Sequence, residues 1–433
     1  MMRDHAYPLS PDVTLNVDID NGDIKFIAEE KPLLQERYNW FLEVEYQSKS
    51  KVAFPAVSVS ENTKELFSQY FEPGQSGIRL LNLSGASAVE KIKLKATRCQ
   101  LNKKARLMGF LPPDFENNGP VLIVAPHPDD AELAAYGLYR RYSNNVWIVT
   151  LTAGETQKRL DKQYIPGLDQ DSGSAGRRKG RIRTWNSMTT PLLADVPFER
   201  NIMLGYFNDT LSNMLKTPEM TVPSRAGKEV CPGDFRVWNR MTLDSDSAPK
   251  NCGEHLVRDL QELLERIKPG ILVVTHPEVD PHADHVAAAK ACALAMRQSN
   301  HQPEQVLMYA NHLAGVRGFP LGPAHAAAGV WPWSQASSSM GLWRLHSEYL
   351  DIDVQKDKVL ALDTMHDLRT PLKLEKRLKR WLRRYLSGIP LSDWKDYGAH
   401  DYFQTHIKAH EVFASVPASA FVSGLLSDLP PAP

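Results

Sequence analysis

The chain is poor in the features that mark several protein classes. Its 433 residues hold only four cysteines (Cys99, Cys231, Cys252, Cys292), scattered and without CxxC spacing. That argues against a structural zinc knot, and a chain long enough to bury a sizeable core needs no disulfide framework. Excess charge of one sign is also missing, since Lys plus Arg (51) equals Asp plus Glu (51). A polyanion binder held by bulk charge is not expected, and no nucleic-acid partner is predicted. No stretch approaches the roughly 18 apolar residues of a spanning helix. Residues 1–20 lack an apolar core of signal-peptide length, so the expectation is a reduced, cytoplasmic protein. What is present is 42% apolar and 24% charged residues, the balance of a globular protein of two to three domains.

The pattern divides the chain. Residues 1–110 read as a small all-β, sandwich-like domain. Val13, Leu15, Val17 and Ile19 alternate with polar residues, and short strand-like segments follow at Trp40–Tyr46, Val52–Val59, Ile78–Leu83 and Ile92–Ala96. Residues 111–119 are punctuated by Pro and Gly and read as a linker. From residue 120 to about 370 the grammar becomes α/β. The apolar run Val121–Ala125, a helix over Glu132–Arg141 and a second run Val146–Leu151 make a βαβ unit. A helix over Glu254–Lys268 and a strand Ile271–Thr275 repeat it, followed by helix Ala283–Arg297 and strand Gln305–Ala310. The predicted α/β unit is a Rossmann-like, three-layer domain with a mostly parallel sheet. Residues 156–180 and 208–252 lack periodicity and read as long loops. Residues 371–433 form a C-terminal extension.

Two clusters carry chemistry, and each directly follows a buried strand, where open α/β sheets place their ligands. The first is Pro126-His127-Pro128-Asp129-Asp130-Ala131-Glu132. Adjacent carboxylates repel unless a cation or donors compensate. Alone, this loop reads equally well as a helix cap with a polar histidine. The second, Thr275-His276-Pro277-Glu278-Val279-Asp280-Pro281-His282-Ala283-Asp284-His285, puts three histidines and three carboxylates into ten residues. Together the two supply the N and O ligands of a catalytic zinc site, which keeps one position open. A solvated acidic loop is the plainer alternative. No GxGxxG follows the first strand, which argues against a nucleotide-binding protein.

With these motifs the sequence resembles the PIG-L/LmbE-like zinc-dependent de-N-acetylases. Thr152-Ala153-Gly154-Glu155, Leu204-Gly205-Tyr206 with Asp209, and Leu350-Asp351-Ile352 with Lys358 and Ala361-Leu362 resemble further family segments in the right order. The likeness covers about residues 120–370. It implies that His127, Asp130 and His285 hold the metal and that Asp129 is the general base. It further implies that His282 faces the oxyanion or leaving amine, and that Asp284 orients a histidine. Glu155, Arg183 and Asp209 become substrate-binding candidates; Arg183 stands in the family's Arg-x-x-Glu segment, whose acid is replaced here by Asn186. The implied cofactor is Zn2+, although His/Asp ligation suits other divalent metals. The implied reaction is removal of acetate from an N-acetylglucosamine-type sugar in a glycoconjugate or glycolipid, such as a lipopolysaccharide core intermediate. An amidase acting on another sugar-linked amide, and a carbohydrate-binding protein with a degenerate site, stay open as alternatives.

In residues 372–386, Leu374, Leu378, Trp381, Leu382 and Tyr385 fall at helical spacing among seven Lys and Arg residues. The expectation is that this stripe packs on the domain. A basic amphipathic helix with Trp also suits peripheral contact with the inner face of the membrane. Trp331, Trp333 and Trp343 read as buried aromatics, with stacking on a sugar as the alternative. The sequence leaves the oligomeric state undetermined.

Overall fold

Turn chemistry decides where the first 110 residues reverse. Asn21 (φ 51°) and Gly22 (φ 89°) join β1 (Val13–Asp20) to β2 (Asp23–Phe26) through two left-handed residues, as a tight hairpin requires. Any side chain at Gly22 would meet the Leu94 carbonyl oxygen at 2.2 Å. Six more strands follow: β3 (Asn39–Ser48), β4 (Ala56–Glu61), β5 (Lys64–Tyr70), β6 (Ser76–Asn82), β7 (Ile92–Thr97) and β8 (Cys99–Phe110). They pair antiparallel in the order β5-β4-β7-β2-β1-β8-β3-β6. The computed structural model describes residues 4–27, 38–157, 160–314, 319–333, 335, 337–369, 374–388 and 406–427.

The N-terminal β-structure is thus one continuous sheet rather than two stacked ones. Its two ends share a core, in which Val57, Val59 and Phe67 of β4 and β5 cluster with Leu42, Val44 and Leu81 of β3 and β6. A sheet that curls over itself gives the same alternating pattern as a sandwich, which is why the sequence does not separate them.

The second sheet is built from β9 (Val121–Ala125), β10 (Val146–Thr152), β11 (Asn201–Tyr206), β12 (Ile271–Thr275), β13 (Gln305–Tyr309), β14 (Arg344–Tyr349) and β15 (His410–Pro417). Its order is β11-β10-β9-β12-β13-β15-β14; the first five strands are parallel and the last two pair antiparallel. Successive residues of β9 serve opposite faces. Leu122 and Val124 join the core containing α4 (Gly253–Ile267) and α5 (Ala283–Gln298), while Val121, Ile123 and Ala125 join that of α1 (Asp130–Arg141). The helices α2 (Ser172–Thr189), α3 (Leu211–Lys216), α6 (Ile352–Thr364), α7 (Leu374–Ser387) and α8 (Ala418–Leu425) complete the chain. The α4 stripe (Leu256, Val257, Leu260, Leu263, Leu264, Ile267) is buried as predicted.

Two features depart from the sequence reading. Helix α2 occupies part of the segment read as a loop. A capping box between Asp171 and Ser174 starts it, and its glycines serve close approach rather than turns. A Cβ at Gly176 would lie 2.5 Å from Ala226 Cβ, and one at Gly180 2.3 Å from the Phe235 ring. Glycine mid-helix costs about 1 kcal/mol and erases the apolar period, so the helix is hidden from pattern. The second departure is β15, which lies inside the α/β sheet although it comes from the segment read as an extension. Strand β14, at the sheet's edge, is covered by the first sheet: Asn39 Oδ1 accepts the Ser347 N–H at 3.0 Å and Asn82 donates to Ser347 Oγ at 2.8 Å. All four cysteines are free, and among the described residues no helix is long and apolar enough to cross a membrane.

β15 also repairs α1, which breaks at Ala135 (φ −139°, ψ 20°). The Glu411 carboxylate accepts the Gly137 and Leu138 N–H groups at 3.0 and 3.2 Å and pairs with Lys358 Nζ at 2.7 Å, all buried. Breaking such a pair leaves an uncompensated buried charge. Glu411→Ala is therefore expected to lose about 3–5 kcal/mol in urea denaturation, and Lys358→Met/Glu411→Leu to recover part of that loss. Full stability in Glu411→Ala would contradict this account.

Candidate metal centre

All five parallel strands send functional residues from their carboxyl ends. β9 leads into His127, Asp129 and Asp130, and β10 into Gly154 and Glu155. β11 leads into Asp209, β12 into Asp280, His282, Asp284 and His285, and β13 into Asn311 and His312. The loop after β9 is pinned by Thr152, whose N–H and hydroxyl both donate to the Pro126 carbonyl.

Asp130 turns back across its own loop. Its Oδ2 accepts the His127 N–H at 2.9 Å and lies 3.2 Å from both His127 Nδ1 and His285 Nε2. Those two nitrogens are 3.2 Å apart, which closes a triangle of three donor atoms from two distant motifs. The opposite nitrogens are fixed by carboxylates: His127 Nε2 lies 3.2 Å from Asp284 Oδ2, and His285 Nδ1 2.9 Å from Asp280 Oδ2. Such outer partners place the proton on the far nitrogen and leave the lone pair facing the triangle. A tetrahedral ion with ligands at about 2.0 Å has ligand–ligand edges of about 3.3 Å, so the donor set fits a divalent metal. Without a metal the same triangle holds protons. Burial pulls His127 and His285 down, but the surrounding aspartates outweigh it and raise them to about 9 and about 10. Asp130 is held well below the usual carboxylate range, its burial outweighed by His285 and His127.

His282 joins the cluster, with one donor atom each from His127, His282 and His285 within 4.8 Å of one another. It caps α5, its Nδ1 accepting the Asp284 N–H at 3.3 Å. That bond puts the ring proton on Nε2, which lies 4.0 Å from Asp209 Oδ1. Burial and the neighbouring imidazoles lower its pKa, favouring the neutral ring. Asp284 thus orients His127, not His282. Its two oxygens also accept the Asp209 and Leu211 N–H groups.

Asp129 stands at φ +107°, a conformation that costs a non-glycine residue about 1–3 kcal/mol and that the surroundings must impose. It points away from Asp130, toward Arg183 on α2 at 3.1 Å. Burial pushes its carboxyl up to about 7; Arg183 pulls the other way, and the adjacent Asp130 adds to the rise. Arg183 also donates to the Pro128 carbonyl at 2.6 Å and lies 3.4 Å from Asp367, which pairs with Lys179 at 2.9 Å.

The substrate-binding candidates fare differently. Glu155 is fully buried and accepts from the Asn208 N–H and the Ser224 hydroxyl, so it ties two loops together rather than facing a ligand. Arg183 is turned inward onto Asp129. Asp209 alone is half exposed, beside His282 and 3.6 Å from Arg225. His276 is fully buried and pushed down to about 3 by burial, with Trp331, Trp333 and Trp343 ringed around it. Trp331 and Trp343 belong to the core, and Trp333 packs against it partly buried. Asp351 caps α6, and Lys358 serves the Glu411 pair.

Three residues escaped the sequence reading, and a fourth, Asp280, stood in the second cluster without an assigned role. Asp280 buttresses His285 and also accepts the Asn311 and His312 N–H groups. Asn311 Nδ2 donates to Asp130 Oδ1 at 2.8 Å. The His312 ring lies 5.0 and 5.5 Å from those of His285 and His282. Asp367 completes the Arg183 pair. Asn311-His312 directly follows a buried strand, so the rule that found the other two clusters would have found this one.

Gly154 (φ +58°) lets the Arg183 guanidinium sit against the backbone, and a Cβ there would lie 2.1 Å from its Nη1. The guanidinium is held from three sides and has nowhere to retreat. Gly154→Ala should therefore lose about 1–3 kcal/mol in thermal or urea unfolding. An unchanged stability would show that Arg183 is not held in this way.

Residues 122–296 match the family model described as GlcNAc-PI de-N-acetylase, PIG-L. No curated protein matches the chain. Among solved structures it is similar to the N,N'-diacetylchitobiose deacetylase of Pyrococcus horikoshii, with 14% identity, 73% of this chain and 88% of that one covered, and a TM-score of 0.37. It is also similar to a conserved protein of Thermus thermophilus, with 18% identity, 68% and 92% covered, and a TM-score of 0.33. A third is the deacetylase of the A40926 pseudoaglycone, with 13% identity, 70% and 99% covered, and a TM-score of 0.34. The matched segment, 122–296, holds both histidine motifs and is similar to the PIG-L family model.

Proposed function

We propose that this chain is a metal-dependent hydrolase that removes the N-acetyl group from an N-acetylglucosamine-type sugar of a glycoconjugate or glycolipid. Water cleaves the amide to give acetate and a free amine. The observation that carries this reading is the 3.2 Å triangle of His127 Nδ1, Asp130 Oδ2 and His285 Nε2. The family-model description supports the amide of an N-acetylated sugar as the reacting group.

His127, Asp130 and His285 would hold the ion, and zinc suits a two-imidazole, one-carboxylate set. Bound there, it supplies Lewis acidity to the amide carbonyl and to water. Asp129 is free of the triangle, and with its carboxyl near neutrality it is poised to take a proton from water and return it to the leaving amine. Arg183 keeps it aimed. His282 presents Nε2–H toward the open side of the cluster, where a donor stabilises a developing oxyanion. Asp209, half exposed on the rim, is placed to meet a sugar hydroxyl.

Metal content and four variants test this reading. Protein purified without added metal should carry about one zinc by mass spectrometry, lost in His127→Ala and His285→Ala. Asp280→Asn should weaken zinc affinity by about 10–100-fold in a chelator competition, because His285 loses its orienting carboxylate. Asp129→Asn should keep its zinc while acetate release from N-acetylglucosaminyl substrates falls by about 10²–10⁴ in kcat/KM. A wild-type protein that takes up no metal when zinc is supplied, or an Asp129→Asn variant with full activity, would overturn the mechanism.

A further inference from the structure

Among the described residues, none buries the apolar stripe of helix α7. Leu374 is 81% exposed, Leu378 67%, Trp381 59%, Leu382 50%, Tyr385 75% and Leu386 56%. The expectation that this stripe faces the domain is therefore not met. Six large apolar side chains on one short helix form a patch that water disfavours, at about 25 cal/mol per Å² left exposed. Lys379 stands on this helix, and by sequence Lys376, Arg377, Arg380, Arg383 and Arg384 occupy much of the rest; Glu375, paired with Lys379, is its only acid. The whole chain carries no net charge, so this concentration of cations is local. Leu372 and Lys373 lie outside the described residues.

We infer that α7 is a docking surface for an anionic phospholipid bilayer, lying in the interface with its apolar stripe among the acyl chains. The charge selects the occupant. An apolar stripe alone would suit any hydrophobic partner, but flanking cations that far outnumber the one acid complement a negatively charged surface. A second copy would bring the same cations face to face.

The fold gives such docking a geometry. The seven residue steps from Asp367, which bonds Lys179 beside Arg183 and Asp129, to Leu374 reach at most about 25 Å. The other end is tied to the first sheet, where the Phe54 N–H donates to the Ser387 carbonyl at 3.1 Å. Val52, two residues from that amide, is itself 59% exposed. A bilayer under α7 would thus meet the chain within about 25 Å of Asp367. Binding itself does not depend on the proposed reaction.

Full-length protein is sedimented with vesicles of phosphatidylcholine alone or mixed with phosphatidylglycerol, at low and high salt. Wild type should bind the mixed vesicles at least about tenfold more tightly than the neutral ones, with the difference shrinking in high salt. Leu378→Glu/Trp381→Glu should lose this binding while keeping the wild-type Tm, since both side chains are exposed; hydrolytic activity on a water-soluble substrate should be unchanged. No preference for anionic vesicles would overturn the inference. So would undiminished binding by the variant, or a wild-type dimer that the variant abolishes without any vesicle binding. If a nucleic acid competes and vesicles do not bind, the basic helix has a different partner and the inference fails.

Discussion

Asp130 Oδ2 lies 3.2 Å from two imidazole nitrogens brought from residues 127 and 285, and the carboxyl-end loops of the α/β unit are arranged around that contact. Four aspartates and three histidines in one largely buried patch cannot persist unless each charge is met. The backbone meets much of it. Asp284 takes the N–H groups of Asp209 and Leu211, while Asp280 takes those of His282, Asn311 and His312. The loops after β11, β12 and β13 are therefore held by the site's own carboxylates, as much as the carboxylates are held by the loops. Removing one acid would release an imidazole and a loop together.

Asp129 and Asp130 show how neighbouring residues of one type acquire opposite chemistry. The left-handed backbone at Asp129 sends the two carboxylates in different directions. Asp130 enters a cluster of imidazoles that holds it ionised, whereas Asp129 is pushed up by burial against Arg183. That guanidinium is shared with Asp367 and with the Pro128 carbonyl, so Asp129 is steadied without being fully neutralised. Asn186, where an acid would stand in the Arg-x-x-Glu pattern, instead accepts the His366 N–H. Asp367 supplies the missing negative charge from a turn almost two hundred residues downstream.

Legibility followed local rules. Val121–Ala125 and Ile271–Thr275 announce themselves as continuous apolar runs, and the His/Asp loops directly after them are legible for that reason. Helix α2 is not, because Gly173, Gly176 and Gly180 serve contact with Glu229, Ala226 and Phe235, which no local pattern reveals. Glu155 is misread as a ligand contact for a related reason: its partners, Asn208 and Ser224, lie in a segment without periodicity. Asp284 lies against His127, which the sheet delivers and no spacing along its own helix reveals. The continuous first sheet and the position of β15 depend on long-range pairing, and neither leaves a period to read.

β15 gives the C-terminal part of the chain its role. After α6 the chain passes Asp367 at the rim of the cluster and forms α7. It then returns as β15 between β13 and β14, where Glu411 caps the broken helix α1 that begins at Asp130. Before and after α7 the chain contacts elements that carry the site: Arg183 and Lys179 through Asp367, and α1 through Glu411. The first sheet adds a third contact at Ser387. Of these, the Ser387 contact ties α7 directly to the first sheet, whereas Asp367 stands seven residues before the helix begins.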